Sequence, residues 1–292
     1  MTTVNNLLAG VNFEQLADQT IIQAGGGREL LPEGRALVRP FMYIECGNHS
    51  EMYKGKAKPV APYFRLGFKI VGGSGKNVDG KLEKFVLNEG SYPQLVPYFK
   101  QQLAFTEKAK TPKWLAALNR VGESKTHLAL KVAESALYYL DIGIETKDDG
   151  KKYNTYDFSL LQPAVKIDED EETGELTERA VKAPQLKPED MMIFLWEHPT
   201  KEQWDSIFIE GQYEAQKDDK GNITKPAASK NRYQEECLKA VNFEGSALHN
   251  LLSSLEGGFK MPDLSSEETT GVPEVPVTPS EPDVPEVPSI PE

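Results

Sequence analysis

The chain of 292 residues carries 45 Asp and Glu against 33 Lys and Arg, a formal net charge of -12, with 39% hydrophobic residues. That apolar content supports one domain of about 150 to 200 residues with appendages, or two small domains. No run approaches the roughly 18 apolar residues of a membrane span, and the opening MTTVNNLLAGVNFEQLADQTI lacks a charged region followed by an apolar core, so a cytoplasmic protein without a membrane partner is expected.

The average charge hides a separation along the chain. From Gly27 to Val132 there are 18 Lys and Arg against 9 Asp and Glu, a net of +9, whereas Met261 to Glu292 holds eight acidic residues and no basic one. Only Cys46 and Cys237 are present. Two distant cysteines form no disulfide framework and read as free thiols in a reducing compartment.

In chain order, residues 1–26 form a short segment with one helix expected around Phe13 to Thr20, closed off by Gly25, Gly26 and Gly27. Residues 27–165 show a period of two. In RALVRPFMYIEC, Ala36, Val38, Met42, Ile44 and Cys46 share an expected core face, and Arg35, Leu37, Arg39, Phe41, Tyr43 and Glu45 share the other. In PYFRLGFKIV, Phe64, Leu66, Phe68 and Ile70 oppose Tyr63, Arg65, Gly67 and Lys69. LEKFVLN (82–88) follows a turn expected at Gly72 to Gly75 and an Asp79-Gly80 pair. Helical spacing is read over Tyr92 to Ala104 and Pro112 to Asn119. ALYYLDIGIET, a turn at Lys147 to Gly150 and KYNTYDFSLL predict a second hairpin.

Three strands, a helical insertion and two strands predict a mainly β fold with helical additions (α+β), built on a five-stranded OB-like antiparallel barrel. Residues 166–186 read as an acidic linker. A helical appendage is expected over 187–260, with a capping box at Thr200 and Gln203, a helix through Asn231 to Ala240, another after Ser246, and buried Trp196, Trp204 and Phe208. Residues 261–292, rich in Pro, Glu and Val, predict a disordered acidic tail.

Single-strand binding needs cations that follow phosphates and flat rings on which bases stack. Arg35, Arg39, Phe41, Tyr43, Tyr63, Arg65 and Lys69 fall on the expected non-core face, and the connecting loop adds Tyr53, Lys54, Lys56 and Lys58. Lys108, Lys110, Lys113 and Trp114 form a second basic and aromatic group. Singly, each reads as a solvated lysine or a packing ring. Their coincidence on two strands and the loop between them is what points to a nucleic-acid face.

Signals for chemistry are weak. His49, His127, His198 and His249 are scattered, and Cys46-x-x-His49 is half of a metal site. Gly72 to Lys76 lacks the spacing and the Ser or Thr of a phosphate loop. The carboxylates between Asp168 and Glu178 form a contiguous solvated run with Gly174 in it, not a converging pair. No enzyme activity, metal or cofactor is expected.

With these residues in place, the strand pattern of 28–165 and the tail from 261 resemble phage-encoded single-stranded DNA-binding proteins. LPEGRALVRPFMYIECG, YKGKAKPVAPYFRLGFKIVGG, FLWEHPTKEQWDSIFIEG and KNRYQEECLKAVNFEGS are similar to segments of phage replication-region proteins. The resemblance implies non-specific binding of single-stranded DNA in phage replication or recombination, inside the infected host cell. It also implies a tail that competes for the basic groove and recruits replication proteins. Two family features are absent, the zinc-binding His and Cys cluster of one branch and a terminal aromatic, since the chain ends Ser289-Ile290-Pro291-Glu292. A virion structural or assembly protein is the alternative.

Overall fold

The computed structural model describes residues 30–53, 55–148, 150–169, 176–217 and 223–255. The expected N-terminal helix, the boundary at Gly27 and the acidic tail lie outside them. The chain divides into two units, Met1–Leu251 and Leu252–Glu292, and the fold belongs to the first.

Its spine is β1 (Glu33–His49), a 17-residue strand. A small hairpin of β2 (Met52–Tyr53) and β3 (Lys56–Ala57) turns the chain, and β4 (Ala61–Lys76) returns antiparallel to β1 from Glu33↔Lys76 to His49↔Ala61. The register slips at Leu37/Val38, Pro40/Met42 and Glu45/Gly47. Pro40 has no N–H for the ladder, and an extra residue on one strand reverses which face later side chains take. Ala36 and Val38 therefore join the main core ahead of the slip and Tyr43 joins it after. Met42, Ile44 and Cys46, expected beside Ala36 and Val38, are fully buried but lie outside that cluster. From Val38 on, both faces of β1 are covered.

Gly72 to Gly75, expected as a turn, lie inside β4. They let two backbones touch: a Cβ on Gly75 would sit 2.6 Å from the Glu33 carbonyl oxygen, and one on Gly73, at φ +95°, 2.5 Å from that of Arg35. The turn comes later. There, Asn77 Oδ1 accepts from the amides of Asp79 and Lys81 at 3.0 and 2.9 Å. The third strand, β5 (Leu82–Lys84), is shorter than the expected 82–88 and pairs with the end of β4.

No helix forms over 92–104. Pro93 and Pro97 remove donors that a helix needs, and the segment contributes two strand pairs along β4, β6 (Gln94–Leu95) and β7 (Gln101–Gln102). Two helices follow. α1 (Lys110–Leu118) agrees with the expected helical spacing and buries Trp114, Ala117 and Leu118. α2 (Leu128–Glu134), not anticipated, begins at His127, whose Nδ1 accepts from Ala129 N, and ends at left-handed Ser135.

The second hairpin forms as expected from β8 (Tyr138–Thr146) and β9 (Lys152–Thr155). Tyr138, Leu140 and Ile142 point into the core, and β8 pairs with the first half of β1. The chain then makes a 3-10 turn at Phe158–Leu160 and a short β10 (Gln162–Pro163) against β8. The main sheet runs β10-β8-β1-β4-β5. It is mainly β with helices packed on it. Among the described residues its end strands, β10 and β5, are not paired with each other, so the expected five-stranded barrel is not closed.

The stretch expected as an acidic linker carries a hairpin of β11 (Val165–Glu169) and β12 (Leu176–Ala180). The stretch expected as a helical appendage is mixed and belongs to the same unit as the sheet as far as Leu251. β13 (Met192–Phe194) runs parallel to β1 at Met42–Ile44. α3 (Lys201–Ser206) starts at Thr200, whose hydroxyl accepts from Gln203 N. The Gln203 side chain does not close the box and instead accepts from Leu195 N. β14 (Gln212–Tyr213), β15 (Gln216–Lys217), β16 (Ile223–Lys225) and β17 (Ala228–Ser229) make two small hairpin pairs. α4 (Arg232–Leu238) and α5 (Ala247–Ser254) follow where expected. Trp196 and Trp204 are buried and Phe208 is exposed. Among the described residues no helix is long and apolar enough to cross a membrane.

Candidate nucleic-acid interface

Most of the face expected to bind nucleic acid is interior: Arg39, Arg65 and Lys69 form a seam under residues 183–190 and α4, and Tyr43 lies in the main core. Arg39 is buried, with Nε donating to the Pro184 carbonyl (2.8 Å), Nη1 to Ser135 O (2.6 Å) and Nη2 to Ala183 O (3.2 Å). Burial without an acidic partner holds its pKa below the ordinary value. The carbonyl of Ser135 ends α2, where a helix dipole favours a cation.

Lys69 Nζ meets Asp190 Oδ1 at 2.6 Å and lies 5.3 Å from the Phe41 ring centroid. The hydrogen bond from Lys69 in turn holds the Asp190 carboxyl below its usual range. Arg65 is paired with Glu236. Phe41, Tyr43 and Tyr63 are buried. The Tyr43 hydroxyl donates to Glu45 Oε1, and burial, then Glu45, push it far above the ordinary phenol value. The alternation of cations and rings is real, but its three buried cations are bonded to residues that the period of two along β1 and β4 does not reveal.

The other expected residues are on the surface. Arg35 is exposed, its guanidinium paired with Asp141 at 2.8 Å. Lys56, Lys58, Lys108, Lys110 and Lys113 are exposed. Tyr53 belongs to β2, and Lys54 lies outside the described residues. Trp114 is buried in the core. His49 makes no metal site with Cys46; its Nε2 donates to the Cys46 carbonyl, and among the described residues no group of three potential metal ligands occurs. Cys46 and Cys237 are free and buried.

A different place combines rings, cations and room. A cleft of about 790 Å³ opens between the β6 segment and the stretch from β9 to the 3-10 turn, with α1 beneath. Sites for small ligands span about 300 to 1,000 Å³. Its floor is an aromatic column rising from the core. Phe158 contacts Phe68 at 4.4 Å, Trp114 at 5.3 Å and Tyr156 at 5.2 Å, the last nearly parallel at 25°.

Phe158 and Trp114 are buried while Tyr156 is half-buried, so the column brings a ring to the cleft. Tyr98 and Tyr153 stand at the rim, and Tyr153 donates its hydroxyl to Glu145 at 2.8 Å. Leu30 and Leu31 close one side. Asn154 holds them in place by accepting from Leu31 N at 2.8 Å and donating to Leu31 O at 2.7 Å.

The cations here come from α1 and β9. Lys110 and Lys152 line the cleft, and Lys110 Nζ lies 5.6 Å from the Trp114 ring centroid. Lys108, Lys110 and Lys113 surround the start of α1, which has no acidic residue in its first turn and no side-chain cap. That end of a helix favours anions. Asp157, the carboxylate on the wall, accepts from Ser159 N at 2.8 Å and starts the 3-10 turn. Tyr98, Tyr153, Tyr156, Phe158 and Lys152 were not among the expected site residues. Their signal is visible as rings and lysines in KKYNTYDF, where a plain second strand was read, and in VPYF.

Comparison of the chain with family models, curated proteins and solved structures finds no match. Fold and site therefore define a class only: an α+β protein with an open, mainly antiparallel sheet and an aromatic, lysine-edged cleft.

Proposed function

We propose that this chain binds single-stranded DNA without base specificity, and that the site is the cleft over Tyr156 and Phe158, away from the seam of Arg39, Arg65 and Lys69. The observation that carries this reading is the aromatic column that brings Tyr156 to a cleft lined also by Lys110 and Lys152. Stacking on such a ring contributes roughly 1 to 3 kcal/mol per base and tolerates any base. Lysines at the edges track the phosphates, and a duplex, whose base faces are already stacked, gains little there.

The order of three main-sheet strands (β1, β4 and β5), two helices and a further hairpin supports reading the sheet as an opened OB-like barrel. On this reading the protein coats exposed strands in phage DNA replication or recombination in the host cytoplasm, with no cofactor and no catalysis. The acidic tail competes for the cleft lysines and engages replication proteins through the charge contrast already present in the sequence.

The test is fluorescence anisotropy of a labelled oligothymidylate and a matched duplex, at low and moderate salt, with the full chain and with a chain ending at Lys260. Preference for the single strand is expected. With about four phosphates neutralised, the slope of log affinity against log salt is about -3. Tighter binding after truncation is expected from loss of a competitor. Absence of binding by either chain at low salt refutes this reading and leaves the assembly role.

A further inference from the structure

The cleft is one end of a longer run of exposed features along β4. We propose that Tyr98 and Phe99 form a second stacking platform, and that Lys56 and Lys58 of the β2–β3 hairpin form a phosphate contact beyond it. Together they extend the cleft into a track for single-stranded nucleic acid. This rests on the reading of the cleft as a nucleic-acid site.

Tyr98 is 87% exposed and Phe99 70%, with ring centroids 4.8 Å apart and planes nearly perpendicular. Adjacent large rings left in water mark a surface with a partner to cover it. The backbone beneath them is held from below. Arg65, buried in the seam, donates Nη1 to the carbonyls of Pro97 and Tyr98, both at 3.3 Å. Gln101 Nε2 donates to the Phe99 carbonyl at 2.7 Å. These bonds place the segment and leave both rings exposed.

The platform is joined at both ends. Tyr98 lines the rim of the cleft. One residue past Phe99, Lys100 Nζ meets Glu51 Oε1 at 2.7 Å, and the Glu51 carbonyl accepts from Lys58 N at 2.8 Å. The aromatic segment is thereby tied to the hairpin that carries Lys56 and Lys58, both exposed. Pairing with Lys100 offsets the Glu51 carboxylate at that junction. From Val96 on the cleft wall to Lys100 is four residues, at most about 14 Å of extended chain. An extended oligonucleotide leaving Tyr156 meets rings first and lysines next, which suits stacked bases with a trailing phosphate.

A length series separates this inference from the cleft reading. Labelled oligothymidylates from about 4 to about 16 nucleotides are titrated against the full chain, Phe99→Ala, the double variant Lys56→Gln with Lys58→Gln, and Tyr156→Ala. All of these positions except Tyr156 are on the surface, and thermal melts confirm that each variant folds. Affinity of the unaltered chain is expected to rise with length. Phe99→Ala and the double lysine variant are expected to match it on the shortest oligomer and to lose roughly tenfold on the longest. Tyr156→Ala is expected to weaken every length. Unaltered affinity of the Phe99 and lysine variants at all lengths, with Tyr156→Ala still weakened, overturns the track and leaves the cleft standing. Failure of every length to bind the unaltered chain overturns both.

Discussion

Arg65 on β4 and Glu236 on α4, 171 residues apart, meet in a two-pronged ion pair, with Nε donating to Oε2 at 2.6 Å and Nη2 to Oε1. The Arg65 side chain is 9% exposed and that of Glu236 22%. Burial works against the guanidinium charge, yet the Glu236 carboxylate outweighs it and leaves the Arg65 pKa above its ordinary value. The pair, with Lys69–Asp190 and the carbonyls around Arg39, fastens residues 183–190 and α4 to the sheet.

Removing one partner leaves a largely buried charge alone. Glu236→Ala is expected to destabilise the protein by about 2 to 4 kcal/mol, short of the full penalty for a completely buried pair because Glu236 retains some water. Arg65→Met combined with Glu236→Leu is expected to cost clearly less than the two single changes summed, since neither charge is then orphaned. Urea unfolding of the four proteins gives the coupling. Strict additivity would show that the pair is not what holds the segment.

Two glycines with similar backbones separate strain from crowding. Gly73 (φ +95°) faces the Arg35 carbonyl oxygen at 2.5 Å from an added Cβ, whereas Gly80 (φ +79°) has nothing within 4 Å. Gly80→Ala is expected to cost about 1 kcal/mol from the left-handed backbone alone. Gly73→Ala adds a clash with backbone, which moves only by shifting β1, and is expected to cost about 3 kcal/mol or more. Denaturant midpoints of both variants decide this. Equal costs would mean that β1 yields at Arg35 without penalty.

The same strands show where sequence reading succeeds and where it stops. Phe64, Leu66, Phe68 and Ile70 face the core as the period of two in β4 predicts, because the extra residue opposite that stretch lies on β1 and leaves the alternation of β4 intact. In β1 the same reading fails after Pro40, since a single slipped residue exchanges the faces and only the pairing with β4 reveals it. Arg39, Arg65 and Lys69 read as surface because their partners, Pro184, Glu236 and Asp190, are more than 120 residues away. The cleft is partly legible in the sequence, where Lys110 and Trp114 stand in one basic and aromatic group. Tyr98 fell in a stretch read as helix, and Tyr156 and Phe158 in one read as an ordinary strand. What joined them was the 3-10 turn at Phe158, which brings that ring onto Trp114.

His49 makes stability depend on pH on the acid side. It is buried, its Nε2 donates to the Cys46 carbonyl at 2.9 Å, and its ring meets Tyr63 edge-on. Burial is the main cause that lowers its pKa from the ordinary 6.5; Lys100 lowers it further, while the Cys46 hydrogen bond, Glu236 and Glu51 pull the other way. With the folded value depressed, the unfolded chain takes up the proton first as pH falls. The stabilisation is therefore complete above 6.5 and is lost as pH drops through the folded value. Urea midpoints measured downward from neutral pH are expected to fall in the native chain and to fall less steeply in His49→Gln. Parallel profiles would assign the acid sensitivity to the carboxylates instead.

Trp114 offers a reporter for where a ligand sits. It lines the cleft floor, whereas Trp196 and Trp204 are buried on other elements and line none of the cleft. A base stacked on Tyr156 lies one ring from Phe158 and two from Trp114. Oligothymidylate is therefore expected to quench tryptophan emission in the native chain. Trp114→Phe keeps an apolar ring on the floor and is expected to bind within a few-fold of the native affinity, since the stacking face is that of Tyr156. Most of the quench should vanish in that variant. A quench that survives Trp114→Phe, at unchanged affinity, would place the strand near Trp196 or Trp204 and move the binding site off the cleft.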